Sequence, residues 1–134
     1  MTAAISTGAP APAATLETTA GAMELPPKGG RGLIVFFYPK DNTPGCTTEA
    51  KAFSELVSDF DSKGYDIVGV SRDSLKSHEN FIEKQSLTIP LASDQDGSVC
   101  DAFGVWVEKK MYGRTFMGIE RSTFVIAADG TILE

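Results

Sequence analysis

The sequence predicts an α/β protein, a three-layer sandwich with a central mixed sheet. Two short apolar segments, 33–38 and 66–71, are each followed by a stretch in which apolar residues recur with helical spacing. The first segment shows no alternation of apolar and polar residues, which is typical of a strand covered on both faces. Strands that alternate with helices in this way indicate a layered α/β architecture.

Composition indicates a single globular domain. The chain has 134 residues and a formal net charge of −6, with 12 Lys and Arg against 18 Asp and Glu. This acidic balance argues against a nucleic-acid or anionic-membrane partner, because either would need a basic surface. No apolar run approaches the roughly 20 residues that span a bilayer. The start of the chain lacks signal-peptide features, and two cysteines do not form a disulfide framework, so we expect a cytoplasmic protein.

The N-terminal part is predicted to contribute little to the core. Residues 1–15 are rich in Ala, Thr and Pro and uncharged, and we interpret them as a flexible arm preceding a domain over 16–134. Residues 16–25 are compatible with a short hairpin. Residues 26–32 form a turn-rich loop, and their glycines match no nucleotide-binding motif because no Gly-Lys-Ser/Thr is present.

The segment after the first buried strand is predicted to be a helix from Cys46 to Lys63, closed by Gly64. Its apolar residues fall at i, i+4, i+7, i+11 and i+14 and form one stripe. Because Cys46 is the first of these positions, it heads the buried face of the helix. The stripe consists of Cys46, Ala50, Phe53, Val57 and Phe60.

The second half continues the pattern of strands and helices. Ser74 is a suitable N-cap for a helix that runs to about Gln85. A brief strand is expected over 88–93, where Pro90 suggests an edge or a bend. A short helix over 98–103 should follow, then a long loop with some extended structure over 105–118, a strand over 121–127 and a turn at 129–130. The chain stops at Glu134 within a further predicted strand, so we expect a truncated C-terminus.

Cys46 is the residue with the strongest chemical signal. It follows a Thr-Pro-Gly loop and lies at the predicted start of a helix. A helix N-terminus has unpaired N–H groups and the positive end of the helix dipole, and both favour a thiolate. A zinc site needs about four Cys or His ligands, whereas this chain has two Cys and one His. The sequence therefore predicts thiolate chemistry at Cys46 and no metal.

A thiolate needs a cation nearby, and Arg121 is the best candidate because it opens a predicted strand. The alternative is an exposed arginine paired with Glu120 or Glu108. Thr43, three residues before the cysteine, could give its hydroxyl to a substrate oxygen, or could serve only as a turn residue.

Two further residues have a structural and a chemical interpretation. His78 could form a Cys–His dyad, but it lies in mid-helix with apolar neighbours, and no Asp or Asn is placed by any motif to orient it. We therefore favour a half-buried structural histidine. Cys100 lies on the inner side of its short helix and is predicted to be a small buried apolar residue.

Residues 39–46, Pro-Lys-Asp-Asn-Thr-Pro-Gly-Cys, reproduce the peroxiredoxin signature Pro-x-x-x-Thr-x-x-Cys. The longer pattern Phe-Tyr-Pro-Lys-Asp, Thr-Pro-Gly-Cys-Thr-x-Glu resembles the peroxiredoxin Q, or bacterioferritin comigratory protein, subfamily. The resemblance extends from about Gly8 to the end of the chain. Supporting stretches are 69–74, 77–81, 91–94, 111–113 and 118–124.

The resemblance implies a thioredoxin-like fold and a thiol-dependent peroxidase without metal or organic cofactor. Cys46 corresponds to the cysteine that attacks the O–O bond of hydrogen peroxide or an organic hydroperoxide and becomes sulfenic acid. Thr43 matches the residue that hydrogen-bonds the peroxide, and Pro39 the one that shields the thiolate from water. Arg121 matches the arginine that polarises the peroxide and stabilises the thiolate.

Two departures from the family pattern bear on the catalytic cycle. The positions at which many members carry a second, resolving cysteine are Lys51 and Ile82 here. Either Cys100 resolves after local unfolding, or an external thiol such as thioredoxin, glutaredoxin or glutathione attacks the sulfenic acid. We favour the external thiol, in a protein that is a monomer or weak dimer. Family members also continue into a C-terminal helix, without which apolar surface should be exposed.

A function from another class stays open on sequence alone. A thioredoxin-fold module without catalysis could act as a holdase or bind a partner, and it would not need a resolving cysteine. The complete set of Pro39, Thr43, Cys46 and Arg121 argues against this alternative. A thiol–disulfide oxidoreductase is less compatible still, because the chain lacks Cys-x-x-Cys.

Overall fold

A computed structural model describes residues 8, 10–25, 30–39, 41, 44–111 and 113–133. Within them the chain forms eight strands and three helices. The strands are β1 (Ala14–Thr18), β2 (Gly21–Leu25), β3 (Gly32–Phe37), β4 (Tyr65–Ser71), β5 (Leu91–Ser93), β6 (Trp106–Met111), β7 (Arg114–Ile119) and β8 (Ser122–Ile126). The helices are α1 (Pro44–Ser62), α2 (Leu75–Gln85) and α3 (Ser98–Ala102).

Six strands form one mixed sheet in the order β2-β1-β5-β4-β3-β8. β3, β4 and β5 run parallel, and β1 and β8 join them antiparallel. Two parallel strands require a crossover connection, and α1 and α2 supply the two crossovers. The predicted mixed α/β sheet is confirmed, and β3 lies inside it between β4 and β8.

The residues of β3 and the next residue, Tyr38, divide the core into two halves. Side chains alternate across a strand, so Ile34, Phe36 and Tyr38 point to one face while Leu33, Val35 and Phe37 point to the other. All six are at most 3% exposed. The first set packs with α1 and α2, and the second with α3 and the segments around it. This explains why the sequence shows no alternation here.

Both long helices agree with their sequence signals. α1 buries Cys46 and Ala50 and packs Phe53, Val57 and Phe60 against the same cluster, as predicted. It ends before Gly64, whose φ of +84° suits a residue without a side chain. In α2, Ser74 Oγ accepts a hydrogen bond from the Ser77 N–H at 3.1 Å and is the predicted N-cap. None of the described helices combines the length and apolar character of a membrane span.

Residues 105–118 were predicted to be a long loop with some extended structure. The extended structure is present, but the prediction of a long loop is wrong. This segment forms the antiparallel hairpin β6–β7, a separate two-stranded sheet in which Met111 pairs with Arg114. Gly113 has a φ of +76°, as tight hairpin turns require. Four of the six residues of β7 are exposed. A hairpin with so little buried surface shows no clear apolar alternation, which explains why its pattern resembles a loop.

Two further boundaries differ from the prediction. β1 begins at Ala14, inside the predicted arm, and the Gly8 and Ala11 N–H groups donate to the carbonyls of Ile132 and Gly130 at 2.8 and 2.9 Å. These backbone bonds hold the described part of the arm against the C-terminal turn, a pairing that local composition cannot reveal. Residues 1–7 and 9 lie outside the described residues. Pro90 precedes β5, which is an internal strand rather than an edge.

Candidate active site

The register of β3 and β8 brings the two predicted site elements together. Phe37 at the end of β3 pairs with Ser122 at the start of β8, so Arg121 precedes β8 at the sheet edge where β3 ends. α1 begins at Pro44, shortly after that same end. The fold thereby places Arg121 beside the first turn of α1, although Arg121 and Cys46 are 75 residues apart in sequence.

Cys46 and Arg121 are in direct contact. The Arg121 guanidinium donates from Nη2 to Cys46 Sγ at 3.2 Å and from Nη1 to Glu49 Oε1 at 3.0 Å. Cys46 is 1% exposed, whereas the Arg121 side chain is 40% exposed. Cys46 is also in the first turn of α1, where the positive end of the helix dipole lies. The sulfur therefore has a cation on one side and a helix terminus on the other.

Gly45 leaves room for the guanidinium to approach. A Cβ atom at this position would lie 3.3 Å from Arg121 Nη2 and 3.9 Å from its Cζ. The first distance is tighter than an ordinary van der Waals contact, so a side chain here would push the guanidinium outward. The residue before the cysteine thus helps to define where Arg121 lies.

The ionisable groups around the sulfur influence one another. Burial alone would lower the pKa of Arg121, but the hydrogen bond and charge of Cys46 and of Glu49 outweigh it and raise that pKa. Burial raises the pKa of Glu49 above its usual range, and Arg121 offsets only part of this effect. The guanidinium therefore stays ionised, shared between a sulfur and a carboxylate.

Glu49 is the residue of this site to which the sequence analysis assigned no role. Arg121 contacts the thiol, as the favoured prediction had it, and its carboxylate partner is Glu49 rather than Glu120 or Glu108. The available signal was spacing, because a residue three positions after Cys46 lies on the same side of a helix. Without the register of β8, however, nothing connects Glu49 with Arg121.

The other two predicted site residues are less closely placed. Pro39 is exposed and lines a cavity of about 460 Å³, together with Arg72, Trp106 and residues of β7. Thr43 lies outside the described residues. The structure thus brings Cys46 and Arg121 into contact, and the roles of Pro39 and Thr43 stay predictions.

His78 is fully buried rather than half-buried, and its ring contacts Asp41 instead of Cys46. Its Nδ1 lies 2.7 Å from Asp41 Oδ2, and its Nε2 lies 2.8 Å from the Ala92 carbonyl oxygen. The structure therefore supplies an Asp partner for His78 that no sequence motif marks. The two residues are 37 positions apart, and only the crossover from β3 to α2 brings them together.

Asp41, Asp73 and His78 place ligand-type atoms within 4.8 Å of one another. Each of these side chains already has hydrogen-bond partners within the protein. Asp73 Oδ2 accepts from the Asp41 N–H and from Ser71 Oγ, both at 2.8 Å. We therefore describe the cluster as a hydrogen-bond network.

Cys100 has the buried position that was predicted for it. It belongs to the core half on the α3 side of β3, whereas Cys46 belongs to the half on the α1 side. Burial and the neighbouring Asp94 carboxylate raise the pKa of the Cys100 thiol, and the Cys100 N–H donates to Asp94 Oδ2 at 2.7 Å. Cys100 is therefore a neutral thiol separated from Cys46 by the central sheet.

Comparison with known proteins identifies the family. The AhpC/TSA family matches residues 7–134. Peroxiredoxin Bcp of Xanthomonas campestris is 52% identical over 105 residues, which are 78% of this chain and 66% of the relative. A putative peroxiredoxin bcp of Coxiella burnetii is 43% identical over 129 residues, 96% of this chain and 85% of the relative.

A solved structure supports the same assignment. The bacterioferritin comigratory protein of Xanthomonas campestris, described for its alkyl peroxide reduction activity, superposes with a TM-score of 0.84 at 47% identity. The match covers 90% of this chain and 78% of that chain. The predicted thioredoxin-like fold is confirmed by this similarity. The chain therefore belongs to the AhpC/TSA family and, within it, to the peroxiredoxins of the Bcp type, which are thiol-dependent peroxidases.

Proposed function

We propose that this chain reduces hydrogen peroxide and organic hydroperoxides with Cys46 as the attacking sulfur. The observation that carries the proposal is the 3.2 Å contact between Arg121 Nη2 and Cys46 Sγ at the start of α1. A guanidinium and a helix N-terminus both favour negative charge on the sulfur. The thiolate is the form of cysteine that acts as a nucleophile.

In the first step the Cys46 thiolate attacks one oxygen of the O–O bond. The S–O bond forms as the O–O bond breaks, and the leaving oxygen departs with the electron pair and takes up a proton. Sulfur is oxidised to sulfenic acid, and the peroxide is reduced to water or an alcohol. In this proposal Arg121, whose Nη2 lies 3.2 Å from the sulfur, stabilises the negative charge that develops on the leaving oxygen. Electrostatic stabilisation of this kind is usually the largest contribution to such a step. In the same proposal Thr43 hydrogen-bonds the peroxide and Pro39 shields the thiolate.

The second half of the cycle needs a thiol from another molecule. Cys46 and Cys100 pack on opposite sides of β3, so a disulfide between them would require the core to open. An external thiol instead attacks the sulfenic sulfur, forming a mixed disulfide and releasing water. A second external thiol then displaces the Cys46 thiolate, which leaves the external pair oxidised to a disulfide.

The proposed reductants are thioredoxin, glutaredoxin or glutathione, with the protein acting as a monomer or weak dimer in the cytoplasm. Both cysteines are free, which suits a reducing compartment where these thiols are maintained. We propose no metal or organic cofactor, because sulfur, peroxide and thiol balance the reaction between them.

The test compares two single-cysteine variants in peroxide turnover, with each of the three reductants in parallel. Cys46→Ser should abolish hydroperoxide consumption, since it removes the nucleophile. Cys100→Ser should keep most of the activity and serves as the matched control. After one equivalent of peroxide, mass spectrometry of the wild type should show sulfenic acid or a mixed disulfide at Cys46. Full activity of Cys46→Ser would refute the proposal, and a Cys46–Cys100 disulfide would refute the external-thiol cycle.

A further inference from the structure

Asp41 lies in the segment that joins β3 to α1, five positions before Cys46, and both its side chain and its backbone make hydrogen bonds. Its Oδ1 accepts a hydrogen bond from the Tyr38 hydroxyl at 2.5 Å, and its Oδ2 accepts one from Ser77 Oγ at 2.7 Å. Its backbone N–H donates to Asp73 Oδ2 at 2.8 Å. Only 2% of the Asp41 side chain is exposed. The segment is therefore anchored at Asp41.

The ring of His78 completes this anchor from α2. Its Nε2 faces the Ala92 carbonyl oxygen at 2.8 Å, and a carbonyl can only accept, so Nε2 carries a proton. Its Nδ1 faces Asp41 Oδ2 at 2.7 Å, where a carboxylate already accepts from Tyr38 and Ser77. Hydrogen bonds from His78, Tyr38 and Ser77 overcome burial and lower the pKa of Asp41. A lone pair on Nδ1 would repel the carboxylate oxygen at 2.7 Å, so Nδ1 also donates.

The surroundings of the ring are acidic and closed to solvent. Two carboxylates face it, Asp41 from the joining segment and Asp73 from the loop before α2, and the Tyr38 hydroxyl lies 3.3 Å from Nδ1. His78 itself is 0% exposed. A buried ion pair of this kind is weak evidence for added stability, because well-packed apolar residues of similar volume at the same positions often stabilise a protein as much or more. A precise geometric role accounts better for such a pair.

We propose that His78 is a positioning residue for peroxide reduction: by donating from both ring nitrogens it holds Asp41 and so fixes the segment that leads from β3 to Cys46. The ring makes its two shortest contacts with Asp41 in the joining segment and Ala92 in β5, so it links the segment to the sheet. The inference rests on the proposed function, because the geometry that it maintains is that of the Cys46 site. Displacement of a catalytic group by about 1 Å can cost about 100-fold in rate.

The first test reads the ring directly. The chain contains a single histidine, so ¹⁵N NMR reports on His78 without assignment ambiguity. In the wild type near neutral pH both ring nitrogens should carry protons. In Asp41→Asn the Nδ1 proton should be lost, since the carboxylate that retains it is gone. A wild-type ring with one protonated nitrogen would overturn the inference.

The second test separates the two hydrogen bonds of the ring. An asparagine amide nitrogen lies near the place of Nδ1, and a glutamine amide nitrogen near that of Nε2. His78→Asn keeps a donor toward Asp41 and should react with hydrogen peroxide within about threefold of the wild type. His78→Gln keeps only the bond to Ala92 and should react about tenfold more slowly or worse. Asp41→Asn should match His78→Gln. Rates are measured in a single turnover and expressed per folded molecule.

The control addresses stability. Val99 is buried in the core half on the far side of β3, so Val99→Ala should lower stability without changing the peroxide rate per folded molecule. Alkylation of Cys46 by iodoacetamide should accelerate at least threefold in His78→Gln and Asp41→Asn, because loss of the Asp41 anchor should loosen the surroundings of a sulfur that is only 1% exposed. Equal rates in all variants, or equal losses in Val99→Ala, would overturn the inference. If the wild type consumes no peroxide, the proposed function fails, while the alkylation ratios still decide the role of His78.

Discussion

Arg121 uses its two terminal nitrogens for two different partners, Cys46 Sγ on one side and Glu49 Oε1 on the other. A guanidinium is planar, so a partner on one nitrogen determines the direction in which the other points. Glu49 thereby orients the group that contacts the sulfur. Gly45 complements this arrangement by leaving the space that the guanidinium occupies.

Replacing Glu49 by glutamine should separate stability from activity. Burial raises the pKa of Glu49. Ionisation of this carboxyl therefore lowers the free energy of unfolding as the pH rises above the usual glutamate range, and the loss persists at neutral pH. Glu49→Gln should therefore be slightly more stable than the wild type at pH 7. It should also react with peroxide about tenfold more slowly, because the amide holds the guanidinium less firmly.

Urea unfolding at pH 7 and single-turnover kinetics measure the two effects. Glu55→Gln is the matched control, since Glu55 is exposed on the same helix. It should leave both quantities within experimental error of the wild type. A Glu49→Gln protein that loses stability and keeps its rate would contradict the role assigned to Glu49.

At the residue scale, site residues can be predicted from the sequence when a local motif or a family pattern contains them. Cys46 at a helix start and Arg121 at a strand start belong to this class. Glu49 and Asp41 do not, because their partners lie 72 and 37 residues away in sequence. Their contacts exist only once the register of β8 and the position of α2 are known.

Among the elements, α2 supports the joining segment through its first turn. Ser74 caps the helix, and the next residues to reach the segment are Ser77 and His78, both of which contact Asp41. Fraying of this turn would release two of the hydrogen bonds that hold Asp41.

Removal of the α2 cap should therefore weaken the protein. Ser74→Ala leaves the Ser77 N–H without its side-chain partner, and we expect a loss of about 1 kcal/mol in the free energy of unfolding. Ser74→Asp should restore most of this loss, because aspartate is also a favourable N-cap. Chemical denaturation at pH 7 checks both. Equal stability of Ser74→Ala and the wild type would show that the cap contributes nothing.

Element boundaries were predictable where the apolar spacing is regular. β3, α1 and α2 meet this condition, and their predicted positions agree with the structure within a few residues. The β6–β7 hairpin does not, because most of β7 faces solvent and its residues alternate in neither polarity nor size. The predicted strand over 88–93 is shortened to β5, Leu91–Ser93. Its length is determined by pairing with β1 and β4, which the spacing of apolar residues does not report.

For the whole molecule, the shifted pKa values of the acidic side chains determine how the free energy of unfolding should change with pH. Hydrogen bonds lower the pKa values of Asp41, Asp96 and Asp129 below their usual 3.8, in Asp41 against the opposing effect of burial. A lowered carboxyl pKa contributes stability above the unfolded value, and this contribution is lost as the pH falls through the folded value. The free energy of unfolding should thus fall as the pH drops below about 4.

Urea unfolding at pH 5, 4 and 3 measures this loss. Asp41→Asn should show a shallower decline than the wild type, since it lacks the buried carboxyl. Asp129→Asn provides the exposed comparison, and its decline should change less than that of Asp41→Asn, because solvent screens the interactions of an exposed carboxyl. An equally steep decline in Asp41→Asn would show that the buried network does not cause the acid sensitivity.

The layered α/β architecture of the whole molecule was predictable from the alternation of strands and helices. The attachment of Gly8 and Ala11 to the C-terminal turn was not, because it depends on backbone hydrogen bonds that any sequence could make. The division of the core by β3 was implicit in its continuous apolar run, although the sequence alone does not say which cysteine lies on which side.

That division determines what happens to the protein after it meets a peroxide. A sulfenic acid on the α1 side of β3 has no thiol of its own chain within reach, since Cys100 packs on the other side. An incoming thiol and a second peroxide then compete for this sulfenic acid. Reaction with the second peroxide would oxidise the sulfur to sulfinic acid, which is irreversible without a dedicated repair enzyme. In the proposed cycle, the ratio of reductant to oxidant around the molecule therefore sets how many turnovers each copy completes.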